Sequence, residues 1–359
     1  MNIVYFTLGL ACLVIGAELL VRGSARLALS FGISPLVVGL TVVAFGTSTP
    51  ELAVSVQAAL VDKADIALGN VVGSNIVNVL VILGVSALIV PLVVANQLIR
   101  QEVPLMIGIS LLLLTLAFDG QISRLDGALF FAILVIYTVF VIRQSRRQGL
   151  ASVEELPEPT TGWRGHWGTQ AGLIAAGLAL LVLGAHWLVD AAIALAQHLG
   201  ISELVIGLTV VAIGTSLPEI ATSIVAALRG QRDMAVGNVV GSNIFNITGV
   251  LGLSSLLAPS GIAVHHSMLS FDIPVMIGVA IACLPIFFTG NLIARWEGGL
   301  FLAAYAAYVA YLVMATSNHD ALNTFGPALT WVVLPATALT LLVVSWREWR
   351  TRSAESTSP

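Results

Sequence analysis

Twenty-two residues at 39–60, GLTVVAFGTSTPELAVSVQAAL, return at 207–228 as GLTVVAIGTSLPEIATSIVAAL, identical at 16 of 22 positions with an offset of 168. The same offset carries ALGNVVGSNIVNV at 67–79 onto AVGNVVGSNIFNI at 235–247, and GISPLVVGL at 32–40 onto GISELVIGL at 200–208. Fainter echoes extend the match: VPLMIG at 103 against IPVMIG at 273, and RLDGALF at 124 against RWEGGLF at 295. The chain is a duplication, so its two halves must build the same unit.

Hydrophobicity says what that unit is. Of the 359 residues, 58% are hydrophobic and only 9% charged, whereas a soluble domain carries about a quarter charged residues. Apolar runs long enough to cross a bilayer, about 17–25 residues, lie near 3–22, 37–60, 67–90, 103–118, 125–142, 170–189, 204–228, 235–257, 272–289, 298–315 and 326–346, eleven expected spans. The first has no basic residue before it and no cleavage pattern after it, and is expected to be retained. Ten spans divide into two copies of five, and an odd number forces the copies into opposite orientations, the inverted-repeat plan of secondary transporters. The expected fold is therefore an all-α integral membrane protein. Two inverted five-helix repeats, 1–142 and 169–313, form a ten-helix core; a cytoplasmic linker covers 143–168; an eleventh span and a cytoplasmic tail occupy 314–359.

Basic residues set the orientation. With the N-terminus outside, thirteen of the fifteen (Arg22, Arg26, Arg100, Arg143, Arg146, Arg147, Arg164, Arg229, Arg232, Arg295, Arg347, Arg350 and Arg352) fall on the cytoplasmic side, and only Lys63 and Arg124 lie outside. The expected location is the plasma or inner membrane, multi-pass, with the C-terminus in the cytoplasm. The linker is too short for a folded regulatory domain. Cys12 and Cys283 sit inside apolar runs and read as buried thiols.

GTSTPE at 46–51 stands in the middle of the second apolar run. Pro50 lacks an N–H, and its ring clashes with the carbonyl four residues back, so a helix must break or kink here. Glu51, unpaired at a bilayer centre, costs at least about 2.5–3.5 kcal/mol. A bound cation meets both demands. Thr47 and Ser48, four and three residues before Glu51, are expected on its helical face; the second copy repeats the set as Thr215, Ser216, Pro218 and Glu219. On the following span Asn70, Ser74 and Asn78 are spaced four apart in one polar stripe, with Asn238, Ser242 and Asn246 as counterparts. Carboxylate, hydroxyl, amide and backbone oxygens are hard donors that suit calcium or sodium rather than zinc or copper. Two carboxylates give the pocket a charge of −2; one calcium leaves it neutral and three sodium ions leave it at +1, and either is cheaper to carry through a low-dielectric barrier than the bare pair.

GTSTPE and GTSLPE, each followed by GNVVGSN, resemble the two alpha-repeats of the sodium/calcium exchanger group within the cation/calcium exchanger superfamily. The resemblance covers about the first 313 residues. It implies ions held by the second and third helices of each half, with alternating access between the two sides. Carried over by position, Glu51 and Glu219 with Thr47 and Thr215 would hold calcium. Sodium sites would draw on Ser48, Ser216, Ser74, Ser242, Asn78 and the backbone carbonyls of Ala44 and Ala212. Many members have an aspartate where this chain has Asn246; in the potassium-dependent branch an acid there is associated with potassium, so its absence argues for potassium independence. The transported cargo would be calcium and sodium, with no cofactor, no nucleic acid and, beyond the lipid bilayer, no partner that the sequence identifies.

Other residues carry weaker signals. Gly69, Gly73, Gly237 and Gly241 read as permitting close helix packing. Asn70 and Asn238 suit either interhelical hydrogen bonding or the site. Glu18 has His186 as its repeat partner and reads as a gate or a snorkelling position rather than a ligand. His265 and His266 read as solvated, and Trp163, Trp167, Trp296, Trp331, Trp346 and Trp349 as interfacial anchors. Sodium-driven calcium antiport leads, ahead of proton-coupled calcium antiport on the same fold. An intramembrane enzyme is disfavoured, because no nucleophile is placed beside a base.

Overall fold

Within a bilayer no water is available to backbone N–H and C=O groups, so apolar runs of this length must satisfy them internally as helices. The computed structural model describes residues 2–31, 33–148, 167–198 and 212–316. Its helices are α1 (Asn2–Phe31), α2 (Pro35–Thr47), α3 (Thr49–Leu60), α4 (Ala64–Ile89), α5 (Leu98–Asp119), α6 (Arg124–Gln148), α7 (Trp167–His198), α8 (Ala212–Thr215), α9 (Leu217–Leu228), α10 (Arg232–Leu257), α11 (Met268–Phe288) and α12 (Arg295–Thr316). Among the described residues eight helices are long and apolar enough to cross a membrane singly, and α2 with α3 forms a ninth span bent by 47°. The start of the expected seventh span, 204–211, the eleventh at 326–346 and the tail lie outside the described residues.

The duplication is visible in the elements. Helices α3 and α9 share their boundaries at an offset of 168, and so do α4 and α10. Helix ends depart from the apolar runs: α1 continues to Phe31, and α6 runs to Gln148, so residues 143–148 are helical rather than linker. Arg143, Arg146 and Arg147 extend the last turns of α6 past its apolar run, since long basic side chains reach outward while their backbone stays helical. The rest of the expected linker before Trp167 lies outside the described residues.

Each half is tied to the other. α1 packs along α7, and glycines at regular spacing make the approach possible. A Cβ on Gly16 would lie 2.8 Å from the Gly177 carbonyl oxygen, and one on Gly184 would lie 2.7 Å from that of Gly9. Gly84 faces Gly298 on α12, and Gly127 on α6 faces Gly252 of α10, in two further seams. Four short strands close the ends: β1 (Leu92–Val93) pairs antiparallel with β4 (Leu292–Ile293), and β2 (Gln121–Ile122) with β3 (Ile262–Ala263). At the centre runs α10, buried at every residue from Met234 to Gly252. Gly237 and Gly241 do admit close packing, against Leu36 and Leu40 of α2. Gly69 has only the Met268 Cε at 3.9 Å and Gly73 nothing within 4 Å, so among the described residues the packing role does not extend to them.

The Gly16 seam yields a stability prediction. Gly16→Val places a branched side chain against backbone and should lower the thermal midpoint of the detergent-purified protein, at an overpacking cost of about 1–3 kcal/mol. Gly172→Val, on the same pair of helices with nothing within 4 Å, should leave the midpoint unchanged.

Candidate metal centre

The break in the second span falls just before the proline. α2 ends at Thr47, Ser48 leaves helical geometry with φ −82° and ψ 11°, and α3 begins at Thr49 with Pro50 in its first turn. Proline suits that position because first-turn N–H groups have no intrahelical acceptor. The second copy repeats the device: Ser216 has φ −86° and ψ 6°, and α9 opens with Pro218. Glu51 and Glu219 thereby occupy the first turns of α3 and α9, where the helix dipole favours negative charge.

The bend redirects the serines. Expected on the face of Glu51, Ser48 instead donates from Oγ to Glu219 Oε1 at 2.9 Å, and Ser216 donates to Glu51 Oε1 at 3.3 Å. A continuous helix would stack Ser48 one turn from Glu51; the non-helical Ser48 turns it toward the opposite break instead. The sequence separations of the two bonds, 171 and 165, lie symmetrically about 168, as a two-fold relation between the copies requires. The threonines face the opposite half as well: Thr47 Oγ1, which also lies 3.0 Å from the Val43 carbonyl of its own helix, is 3.3 Å from Asn238 Oδ1, and Thr215 Oγ1 is 3.5 Å from Asn70 Oδ1. Asn70 donates to Ser55 Oγ and the Glu51 carbonyl, and Asn238 to Ser223 Oγ. Both asparagines are thus engaged in holding the breaks against α4 and α10.

A second tier lies along α4 and α10. Both helices change from α to π winding at the corresponding asparagine, over Asn78–Leu83 and Asn246–Leu251. Single-turn widenings of this kind are frequent at functional sites, and further ones lie at Gly39–Val43, Leu98–Glu102 and Met268–Asp272. Asn78 Nδ2 donates to Asn243 Oδ1 at 3.0 Å, and Asn246 Nδ2 donates to Asn75 Oδ1 at 3.1 Å. Asn75 and Asn243, which sequence reasoning passed over, are therefore part of the centre. They stand one residue beyond Ser74 and Ser242, about 100° round the helix from the polar stripe, and only their recurrence in both GSN motifs could have drawn attention to them.

These bonds leave a particular set of atoms over. Glu51 Oε2, Glu219 Oε2, Asn78 Oδ1, Asn246 Oδ1 and Ser242 Oγ are buried and have no hydrogen-bond partner among the described residues. Glu51 and Glu219 are each 1% exposed, and among the described residues no basic side chain pairs with either. Ser74 is buried as well. The Ala44 carbonyl accepts from the Ser48 N–H at 3.0 Å and faces Thr47 Oγ1 at 3.4 Å, whereas the Ser216 N–H bonds to Ile213 rather than to Ala212. Buried oxygens grouped around two carboxylates without counter-charge are unfavourable unless a cation joins them. No group of three His, Cys, Asp or Glu is found among the described residues, so neutral oxygens must complete any coordination shell. That is the donor set of a hard cation.

Outside the centre, Glu18 is an ion-pair residue: it bonds Arg22 one turn on and Arg229 just beyond α9, the latter at 2.7 Å. His265 is exposed and lies 3.1 Å from Asp65. Trp167 and Trp296 are exposed near helix starts; the other expected aromatic anchors, Trp163, Trp331, Trp346 and Trp349, lie outside the described residues.

Comparison with known proteins identifies the family. The family described as "Sodium/calcium exchanger protein" matches residues 1–143 and 169–314. The putative antiporter CaxA of Alkalimonas amylolytica is 38% identical over 323 residues, covering 87% of this chain and 98% of the relative. The sodium/calcium exchanger MaX1 of Methanosarcina acetivorans is 34% identical over 345 residues, covering 87% and 98%. A solved structure of the sodium-calcium exchanger NCX_Mj, soaked with 10 mM Na+ and no Ca2+, superposes with a TM-score of 0.73 at 33% identity, covering 86% of this chain and 98% of that one. With its apolar helices, its paired helix breaks and relatives matched over nearly their whole length, the chain is a multi-pass membrane protein belonging to the sodium/calcium exchanger family.

Proposed function

We propose that the protein is a secondary active transporter and not an enzyme, exchanging sodium for calcium across the cell membrane by alternating access and without potassium. The observation that carries this reading is the set of five buried oxygens without partners around two uncompensated carboxylates. In this reading Glu51, Glu219, Thr47 and Thr215 hold calcium. Ser48, Ser216, Ser74, Ser242, Asn78, Asn246 and the carbonyls of Ala44 and Ala212 complete the shell or hold sodium. Asn246 supplies a neutral oxygen, so the centre carries only the two carboxylate charges. One calcium balances them, while three sodium ions exceed them by one. Exchange at that ratio moves net charge, worth about 2.3 kcal/mol per 100 mV for each elementary charge.

Strand pairing supports opposed halves. β1 follows the third span of the first half and β4 the fourth span of the second; β2 and β3 show the converse. Segments after an odd and an even number of spans reach one face only if the halves start on opposite sides. The repeats are accordingly read as 1–142 and 169–313. The ion pairs Glu18–Arg229 and Asp65–His265 likewise join ends that share a face only in opposed halves, and the basic residues, thirteen of fifteen on one side, favour the outer side for the N-terminus.

Radiolabelled calcium uptake into proteoliposomes loaded with sodium, against potassium, choline or an imposed pH gradient, tests the reading. Uptake should require internal sodium; uptake driven by the pH gradient alone would make the coupling ion a proton. Glu51→Gln and Glu219→Gln each leave one calcium charge uncompensated at depth, a cost of about 2.5–3.5 kcal/mol, and should weaken calcium binding by roughly a hundred-fold. Asn246→Asp adds a third negative charge, so sodium-driven uptake should fall and become stimulated by potassium.

A further inference from the structure

The repeated stretches VPLMIG and IPVMIG place Met106 and Met276 at corresponding positions of α5 and α11. Both are buried, 1% and 3% exposed, and both thioethers point at the centre. Asn243 Nδ2 lies 3.4 Å from Met106 Sδ, and Asn75 Nδ2 lies 3.6 Å from Met276 Sδ, each a normal length for a hydrogen bond to sulfur. Two parallel relays result. In one, Asn78 donates to Asn243 Oδ1 and Asn243 donates to Met106; in the other, Asn246 donates to Asn75 Oδ1, and Asn75 donates both to Met276 and, at 3.3 Å, to the backbone carbonyl of Asn243. Each relay ends, on its inner side, in an amide oxygen without a partner: Asn78 Oδ1 and Asn246 Oδ1.

The two ends of an amide group are nearly the same size and shape, so packing alone does not decide which end faces a site; the hydrogen-bond network does. A thioether sulfur accepts but cannot donate. Set beside Asn243, it draws the NH2 end toward α5, which turns Oδ1 toward Asn78. Asn78 must then present NH2 to that oxygen and its own oxygen to the centre. Were the outer amide reversed, NH2 would face NH2, and the inner asparagine would have to turn its donor end toward the cations, which repels them.

We propose that Met106 and Met276 are positioning residues of the cation centre, the Met106 sulfur setting the direction of the Asn243–Asn78 relay and the Met276 sulfur, together with the Asn243 carbonyl, that of the Asn75–Asn246 relay, so that both inner asparagines present oxygen to the ions. The inference rests on reading Asn78 and Asn246 as ligands. Its test separates an acceptor from a space-filler. Leucine keeps the volume and removes the acceptor, whereas glutamine restores an acceptor in a more polar side chain. Packing alone would favour leucine; the relay favours glutamine.

The experiment measures sodium-driven calcium exchange by the full chain in proteoliposomes, for wild type, Met106→Leu, Met106→Gln, Met276→Leu, Met276→Gln and Asn78→Ala. Met106→Leu should raise the half-saturating sodium concentration about five-fold, and Met276→Leu, where the Asn243 carbonyl still holds Asn75, about two-fold, both with the maximal rate within about two-fold of wild type; the glutamine variants should lie nearer wild type. Leucine variants that match wild type, that exceed glutamine in ion affinity, that lose maximal rate alone or that fail to reach the membrane would each overturn the proposal. If Asn78→Ala raises half-saturation while the leucine variants do not, the sulfur role alone fails. If Asn78→Ala has no effect, the ligand assignment fails and the relay with it.

Discussion

Two buried carboxylates without basic partners among the described residues, each bonded to a serine from the other half of the chain, are the constraint around which this molecule is organised. Ser48 reaches Glu219 and Ser216 reaches Glu51 because both serines sit at helix breaks, and the breaks face each other. Neither half holds a finished centre: each acid takes its hydroxyl donor from the other copy. A buried charge pair of this kind is tolerable only where dipoles, hydroxyls and a cation share its cost. The half-helix starts at Thr49 and Leu217 supply the dipoles.

Much of the remaining architecture serves to bring these breaks together and keep them there. The glycine contacts between α1 and α7 let two long helices approach backbone to backbone, and the Gly84–Gly298 and Gly127–Gly252 contacts seat the outer helices against α4 and α10. The strand pairs β1–β4 and β2–β3 join loops of opposite halves at the two ends. Between them α10, buried at every residue through its middle, carries Asn238, Ser242, Asn243 and Asn246 past the first half's break. Without water or a hydrophobic driving force between helices in lipid, close packing and polar bonds of this sort are what hold such a bundle.

Several features of the centre were legible before any coordinates. Pro50 and Pro218 announce breaks, Glu51 and Glu219 announce a cation, and the recurrence at 168 residues pairs every candidate in one half with one in the other. Other features were not. Helical periodicity put Ser48 beside Glu51, but periodicity assumes a continuous helix, and the break removes that premise at the residue in question. Asn75 and Asn243 lie off the polar stripe of their helices, and their partners come from the opposite half, a relation that no local spacing encodes. The π turns at Asn78 and Asn246 leave no composition signal, because they depend on how the carbonyls are taken up after packing.

By itself the sequence determined that this is a duplicated, mostly apolar chain whose two equivalent acids and hydroxyl-rich breaks sit at membrane depth. Those properties follow from local chemistry: proline lacks a donor, a carboxylate in hydrocarbon needs compensation, and apolar runs without water must coil. Tertiary structure decided which hydroxyl serves which acid, which amide oxygens are left for ions, and that Met106 and Met276 touch the centre at all. Those are relations between residues about 137 to 201 positions apart, and only the approach of the two halves, set by glycine seams and antiparallel strand pairs, brings such residues within bonding distance.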